Sequence, residues 1–194
     1  MCGRYTLIDG QADEDFSWIC DIISQDHPGA VIPTDDVAPS QAAPVLTAGH
    51  TPVLQRWGLE SPRGRGLFIN ARAETAAVKP TFRESVRSRR CAIPCTGFYE
   101  WDTEKHKYCF TLPGQPLFYL AGLFEMSRDM PRFVVLTRAA NETISDIHDR
   151  MPVIVSRGQC DLWLDDPIAA LDILESSGPR LDRSTDEPVQ TSLW

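Results

Sequence analysis

The chain begins MCGRYTL, and Cys2 is the residue whose position most narrows the available chemistry. Once Met1 is removed, Cys2 carries a free α-amine two carbons from its thiol, which makes it a 1,2-aminothiol. Such a pair attacks an aldehyde with its amine to give an imine, and the thiol then closes a five-membered thiazolidine ring. An internal cysteine has no amine with which to begin. An α-amine with a pKa of about 7.7–8.0 and a thiol near 8.5 are only partly nucleophilic at neutral pH, so neighbouring groups must assist both.

Polar residues interrupt apolar sequence at three further places: Asn70 and Arg72 in FINARAE, Glu100 in GFYEW, and His148, Asp149 and Arg150 in IHDRMP. Glu100 lies between Tyr99 and Trp101 at a strand end, where it could be only a structural ion-pair partner. His148, after a helical turn, could be a satisfied capping or core histidine. Cys91, Cys95, His106 and Cys109 offer four N/S ligands for zinc. Their C-x3-C and H-x2-C spacings are looser than a C-x2-C knuckle, and a buried cysteine often serves as a small hydrophobe. No metal and no cofactor are expected.

With 194 residues, 42% hydrophobic and 24% charged, the chain has the size and mixture of one folded domain spanning 1–194. It has no apolar run long enough for a membrane span and no signal-peptide pattern, so a cytoplasmic protein with free thiols is expected. The net charge of −8 argues against nonspecific coating of nucleic acid. Arginines nevertheless cluster at Arg63, Arg65, Arg72, Arg83, Arg87, Arg89 and Arg90, which reads either as a local basic face or as a solvated surface.

Apolar spacing at Phe16, Ile19, Ile22 and Ile23 predicts an amphipathic helix over 11–24. PVLTA and TPVLQRWGL predict a strand pair, GLFINA another strand, and KPTFRESVRS a short helix with Pro80 in its first turn. The β-branched and aromatic runs RRCAIPCTGFYEWD, HKYCFTL, PLFYLAGLFEM and RFVVLTR predict the core sheet. NETISDIH reads as a helical turn capped by Asn141, MPVIVS as strand, GQCDLWLDDPIAALDILES as one or two closing helices, and DRSTDEPVQTSLW as an extended tail. Strands interrupted by short helices predict an α+β fold around a curved, mainly antiparallel sheet or open β-barrel, with peripheral short helices.

Taken in order, MCGRY, VAPSQ, RWGL, INARAET…KPTFR, RRCAIPCTGFYEW and IHDRMPVI resemble the SRAP family of SOS response-associated peptidases, also called abasic-site processing proteins. The resemblance runs from residue 2 to about residue 165, leaving a closing helix and tail in 166–194. It implies covalent capture, by Cys2, of the aldehyde at an abasic site in single-stranded DNA, and self-removal of Met1. It also implies roles: Asn70 orients the Cys2 amine, Glu100 is general acid and base, and His148 serves the sugar hydroxyl. Arg4, Arg72 and Arg150 would hold phosphates, while Pro39, Trp57 and Trp101 would line the DNA. A monomer suffices, nucleoid-associated when bound to DNA.

The chain departs from the family pattern after RWGL, where ESPRGRGLFIN lacks the usual tryptophan and is short; Arg63 and Arg65 offer phosphate contacts there instead. Cys95 is a bystander thiol in this reading. Two other functions remain open: a noncatalytic reader of damaged or modified single-stranded DNA, and a cysteine peptidase with Cys2 and His148 as nucleophile and base.

Overall fold

A computed structural model describes residues 2–7, 14–61, 64 and 66–185. In chain order the strands and helices are β1 (Tyr5–Thr6), α1 (Glu14–Asp26), β2 (Asp36–Val37), β3 (Ala42–Thr47), β4 (Thr51–Trp57), β5 (Leu59–Glu60), β6 (Leu67–Phe68), β7 (Asn70–Arg72), α2 (Ala73–Ala76) and α3 (Arg83–Ser88). They continue with β8 (Arg90–Cys95), β9 (Gly97–Trp101), β10 (Lys107–Thr111), β11 (Phe118–Glu125), β12 (Arg132–Ala139), β13 (Arg150–Pro152), β14 (Ile154–Val155), α4 (Cys160–Asp165), α5 (Pro167–Glu175) and β15 (Asp182–Thr185). The architecture is the expected α+β, with the helices peripheral to strands.

The larger sheet closes on itself. β12 pairs with β4, β4 with β3, β3 with β8, β8 with β11, and β11 returns to β12. All these pairs are antiparallel except β12–β4, which is parallel. The predicted open barrel is therefore a closed strand circuit, which leaves no unpaired edge among those five strands. The circuit requires close approach at Gly122, where a Cβ would press on Ile93 Cδ1 and stand 2.8 Å from Cys91 Sγ. A smaller sheet runs β15–β10–β9–β1–β2.

Residues 90–101, read from sequence as one apolar run, split between the two sheets: β8 belongs to the barrel and β9 to the smaller sheet. The Thr96 amide, bonded to the Thr6 carbonyl at 2.8 Å, marks the crossing. The predicted hairpin of PVLTA with TPVLQRWGL is present as β3–β4, with Val45 opposite Val53. α1 buries Phe16, Ile19 and Ile23, but Ile22 stays half-buried, and 11–13 lie outside the described residues. The helix expected from KPTFRESVRS begins later, at Arg83, so Pro80 sits in the preceding turns. GLFINA is divided into β6 and β7. Asn141 does cap its turn, accepting the Thr143 amide at 3.0 Å. Of the predicted extended tail, Asp182–Thr185 form β15, and 186–194 lie outside the described residues.

Arg90 fits neither reading of the arginine cluster, a local basic face or a solvated surface. It is buried, donating to the Trp163 carbonyl at 2.6 Å, Leu164 at 2.8 Å and Val86 at 2.8 Å, and so ties α3 and α4 to the barrel. Arg89 pairs with Glu125 at 3.0 Å, and Arg83 and Arg87 both face Glu84. Arg63 and Arg65 lie outside the described residues. Gly122→Ala should destabilise the protein by about 1–3 kcal/mol through overpacking, read as a lower urea midpoint at unchanged slope.

Candidate active site

Four elements deliver the candidate residues to the seam between the two sheets. β1 pairs with β9 so that Tyr5 faces Phe98 and Thr6 faces Gly97. Extending that register by two residues sets Gly3 opposite Glu100, and the Tyr99 amide bonds the Arg4 carbonyl at 3.0 Å. Cys2 thus lies beside Glu100. On the barrel side, β12 aligns Val135 with Asn70 and Ala139 with Arg150. One strand therefore places both the start of β7 and the segment that follows His148.

Asn70 joins the two halves. Its Nδ2 donates to the Cys2 carbonyl at 2.8 Å. Its Oδ1 is buried and has no hydrogen-bond partner among the described residues, so an acceptor remains aimed into the site. Strand alternation turns Glu100 inward, 3% exposed, while Tyr99 and Trp101 point outward. Burial raises the Glu100 pKa, opposed in part by the field of His148. Cys2 is wholly buried, and its thiol is pushed far up, first by desolvation and then by the Glu100 charge. The thiol consequently stays protonated until a base takes its proton.

His148 follows the turn capped by Asn141. Its Nδ1 accepts the Arg150 amide at 3.0 Å, which leaves the ring proton on Nε2 in the neutral form. The Asp149 carboxylate also lies 3.0 Å from Nδ1, but it is largely exposed and screened by water.

The expected DNA-contacting residues divide. Arg72 is exposed on β7 and lines a cavity of about 310 Å³ together with Asn70 and Lys79. Arg4 is partly exposed and pairs with Asp36 at 3.4 Å, and Pro39 is half-buried in a turn. Trp101 keeps an exposed ring at the end of β9. Trp57 does not reach DNA: it is wholly buried, stacked on Phe133 at 6.1 Å, with Nε1 donating to the Ile69 carbonyl at 2.9 Å. Its ring also lies 5.4 Å from that of Tyr5 on β1. Arg150 is also committed inside the protein, its side chain only 14% exposed. It makes a forked pair with Glu74 at 2.5 and 2.9 Å and donates to the Thr137 carbonyl at 2.6 Å.

Glu74, which the sequence reading passed over, thereby fastens the His148 segment to the element following Asn70. The signal that points to it is its place in the INARAE motif. The zinc reading does not assemble. Cys91 and Cys95 are buried in β8, His106 Nδ1 lies 2.8 Å from Asp102, and no group of three ligands is placed for a metal among the described residues.

The family model for SOS response associated peptidase (SRAP) matches residues 1–187. The chain belongs to the SRAP family. It is 35% identical over 215 aligned positions to abasic site processing protein YoqW of Bacillus subtilis, covering 99% of this chain and 92% of that one. To abasic site processing protein YedK of Escherichia coli it is 28% identical, covering 90% of this chain and 84% of the relative. A crystal structure of a Bordetella bronchiseptica protein shares the SRAP chain's fold with a TM-score of 0.77 at 23% identity, covering 96% of this chain and all 100% of that one.

The Arg150 guanidinium holds the Glu74 pKa down from 4.5 to about 2. A carboxylate depressed by folding stabilises above its unfolded pKa and loses that contribution as pH falls through the folded value. Glu74→Gln should therefore cost no more than about 1 kcal/mol at pH 7, since the pair is partly exposed. The gap from wild type should close between pH 4.5 and about 2, as checked by urea melts across that range.

Proposed function

We propose that this SRAP chain, once Met1 is removed, captures abasic sites in single-stranded DNA by forming a thiazolidine at Cys2. The observation that carries this reading is the Asn70 amide holding the Cys2 main chain at 2.8 Å beside a buried Glu100 of raised pKa. The names of the YoqW and YedK relatives support abasic DNA as the substrate class.

Each step follows from a group in the site. The ring-opened deoxyribose presents an aldehyde: as the hemiacetal opens, the C1′ hydroxyl loses its proton, the C1′–O4′ bond breaks and O4′ gains a proton, with His148 Nε2–H donating a hydrogen bond to O4′ as it leaves. The Cys2 amine, held by Asn70 Oδ1 as hydrogen-bond acceptor, adds to the aldehyde carbon. Glu100, whose acid form burial favours, gives its proton to the departing hydroxyl, and one water leaves as the imine forms. Glu100, now a carboxylate, takes the proton of the Cys2 thiol as sulfur adds to the imine carbon and closes the ring. Because amine and thiol sit on one residue, ring closure is intramolecular, with an effective molarity of about 10⁵ M or more. The closed ring lacks the iminium that would drive β-elimination, so the strand stays intact.

Intact mass spectrometry with an oligonucleotide bearing one abasic site should give a heat-stable species equal to protein without Met1 plus DNA minus one water. Cys2→Ala should lose that species while leaving an imine that borohydride traps; an undiminished heat-stable adduct would refute the thiazolidine. Retention of Met1 in Glu100→Gln alone would indicate self-processing at this centre, and its removal there would indicate methionine aminopeptidase.

The complete burial of Cys2 favours a second reading, a noncatalytic reader of damaged single strands. That reading requires binding without an adduct in protein already shown to lack Met1.

The raised Glu100 pKa also sets the pH response. The protonated acid is present below that pKa and lost above it, so adduct formation by wild type should slow as pH rises through it. Glu100→Gln should be slower throughout, by about 10²–10⁴-fold for loss of general acid–base assistance, and should lack that limb. Single-turnover rates across pH check both points.

A further inference from the structure

We propose that the surface cavity walled by Phe68 is a nucleobase pocket, which receives the base next to the abasic site; this rests on the capture reading above. The cavity measures about 470 Å³, within the range of small-ligand sites. It adjoins the cavity that contains Asn70 and Arg72, and Phe68 and Thr81 line both. Phe68 therefore stands on the wall between the Asn70 cavity and this one.

Spacing and exposure agree. Phe68 and Asn70 are two residues apart, on the same side of an extended segment. At about 3.3 Å per extended residue they are about 7 Å apart, one or two steps of a stacked strand at about 3.4 Å each. Phe68 is 39% exposed on the short hairpin β5–β6, an aromatic face left to solvent where most aromatic residues of the chain are buried.

The charge lining the cavity decides between phosphate and base. Glu60, Glu84 and Glu125 outnumber Arg89 and Arg132, and both guanidiniums are already paired with carboxylates. A phosphate would meet net negative charge there, whereas the cavity around Asn70 offers Arg72 and Lys79 to the backbone. A neutral base carries no charge for those carboxylates to repel. Its face lies on Phe68, a contact that tolerates any base because each has a π-face.

The test measures equilibrium binding by fluorescence anisotropy, using Cys2→Ala protein and single strands with a tetrahydrofuran abasic analogue, which has no aldehyde and cannot react. In that background Phe68→Ala should weaken binding about tenfold and Phe68→Trp should restore it. A second set of strands replaces the neighbouring nucleotide, on the 5′ or the 3′ side, with another tetrahydrofuran. On one side only, this should cost the protein that retains Phe68 about tenfold and abolish its advantage over the Phe68→Ala variant.

Equal binding by the two proteins, a loss that persists without the neighbouring base, or no measurable binding to any strand would each overturn the pocket. Failure of the capture reading looks different: protein that retains Cys2 and lacks Met1 binds the strands with the same Phe68 dependence but forms no adduct with a true abasic site.

Discussion

The hydrogen bond from Asn70 Nδ2 to the Cys2 carbonyl is the point at which the two sheets become one site. Cys2 and Glu100 arrive on the smaller sheet, paired by the β1–β9 register. Asn70 and His148 arrive on the barrel, aligned by β12. Each half is stiff because its position is set by backbone pairing, and the single amide links them where a side chain can still choose its partner. An uncharged amide suits that place: one end donates to the chain and the other remains an acceptor for an amine.

Burial governs the remaining chemistry. The same desolvation raises both the Cys2 thiol and the Glu100 carboxyl, so burial works against charge on either group. The chain reserves charge for the periphery, where Arg72 and Lys79 flank the Asn70 cavity and Arg4 is partly exposed.

Three motif residues that resemble DNA contacts or a basic face instead hold the scaffold. Trp57 packs on Phe133 and bonds the Ile69 carbonyl, Arg90 joins two helices to the barrel, and Arg150 clasps Glu74. From sequence these residues carry the same signal as ligand contacts, because a donor-rich or aromatic side chain beside a motif serves either purpose. What separates the uses is whether a backbone carbonyl or carboxylate already stands in reach. That information belongs to segments distant in the chain, such as Ile69 for Trp57 and Trp163 for Arg90.

Local order determined a good deal by itself. The placement of Cys2 behind Met1 defines the aminothiol, and Asn141 caps its turn; only the structure showed that Glu100 turns inward, away from Tyr99 and Trp101, so its desolvation comes from the core and not from those rings. The β3–β4 hairpin and the α+β class follow equally from short-range pattern. The tertiary structure alone decided that the strands close into a circuit, that residues 90–101 divide between sheets, and that Glu74 fastens the His148 segment. It also decided which arginines face solvent. The physical reason is that alternation and propensity act over a few residues, whereas strand partnership is settled by burial and hydrogen bonding between segments tens of residues apart.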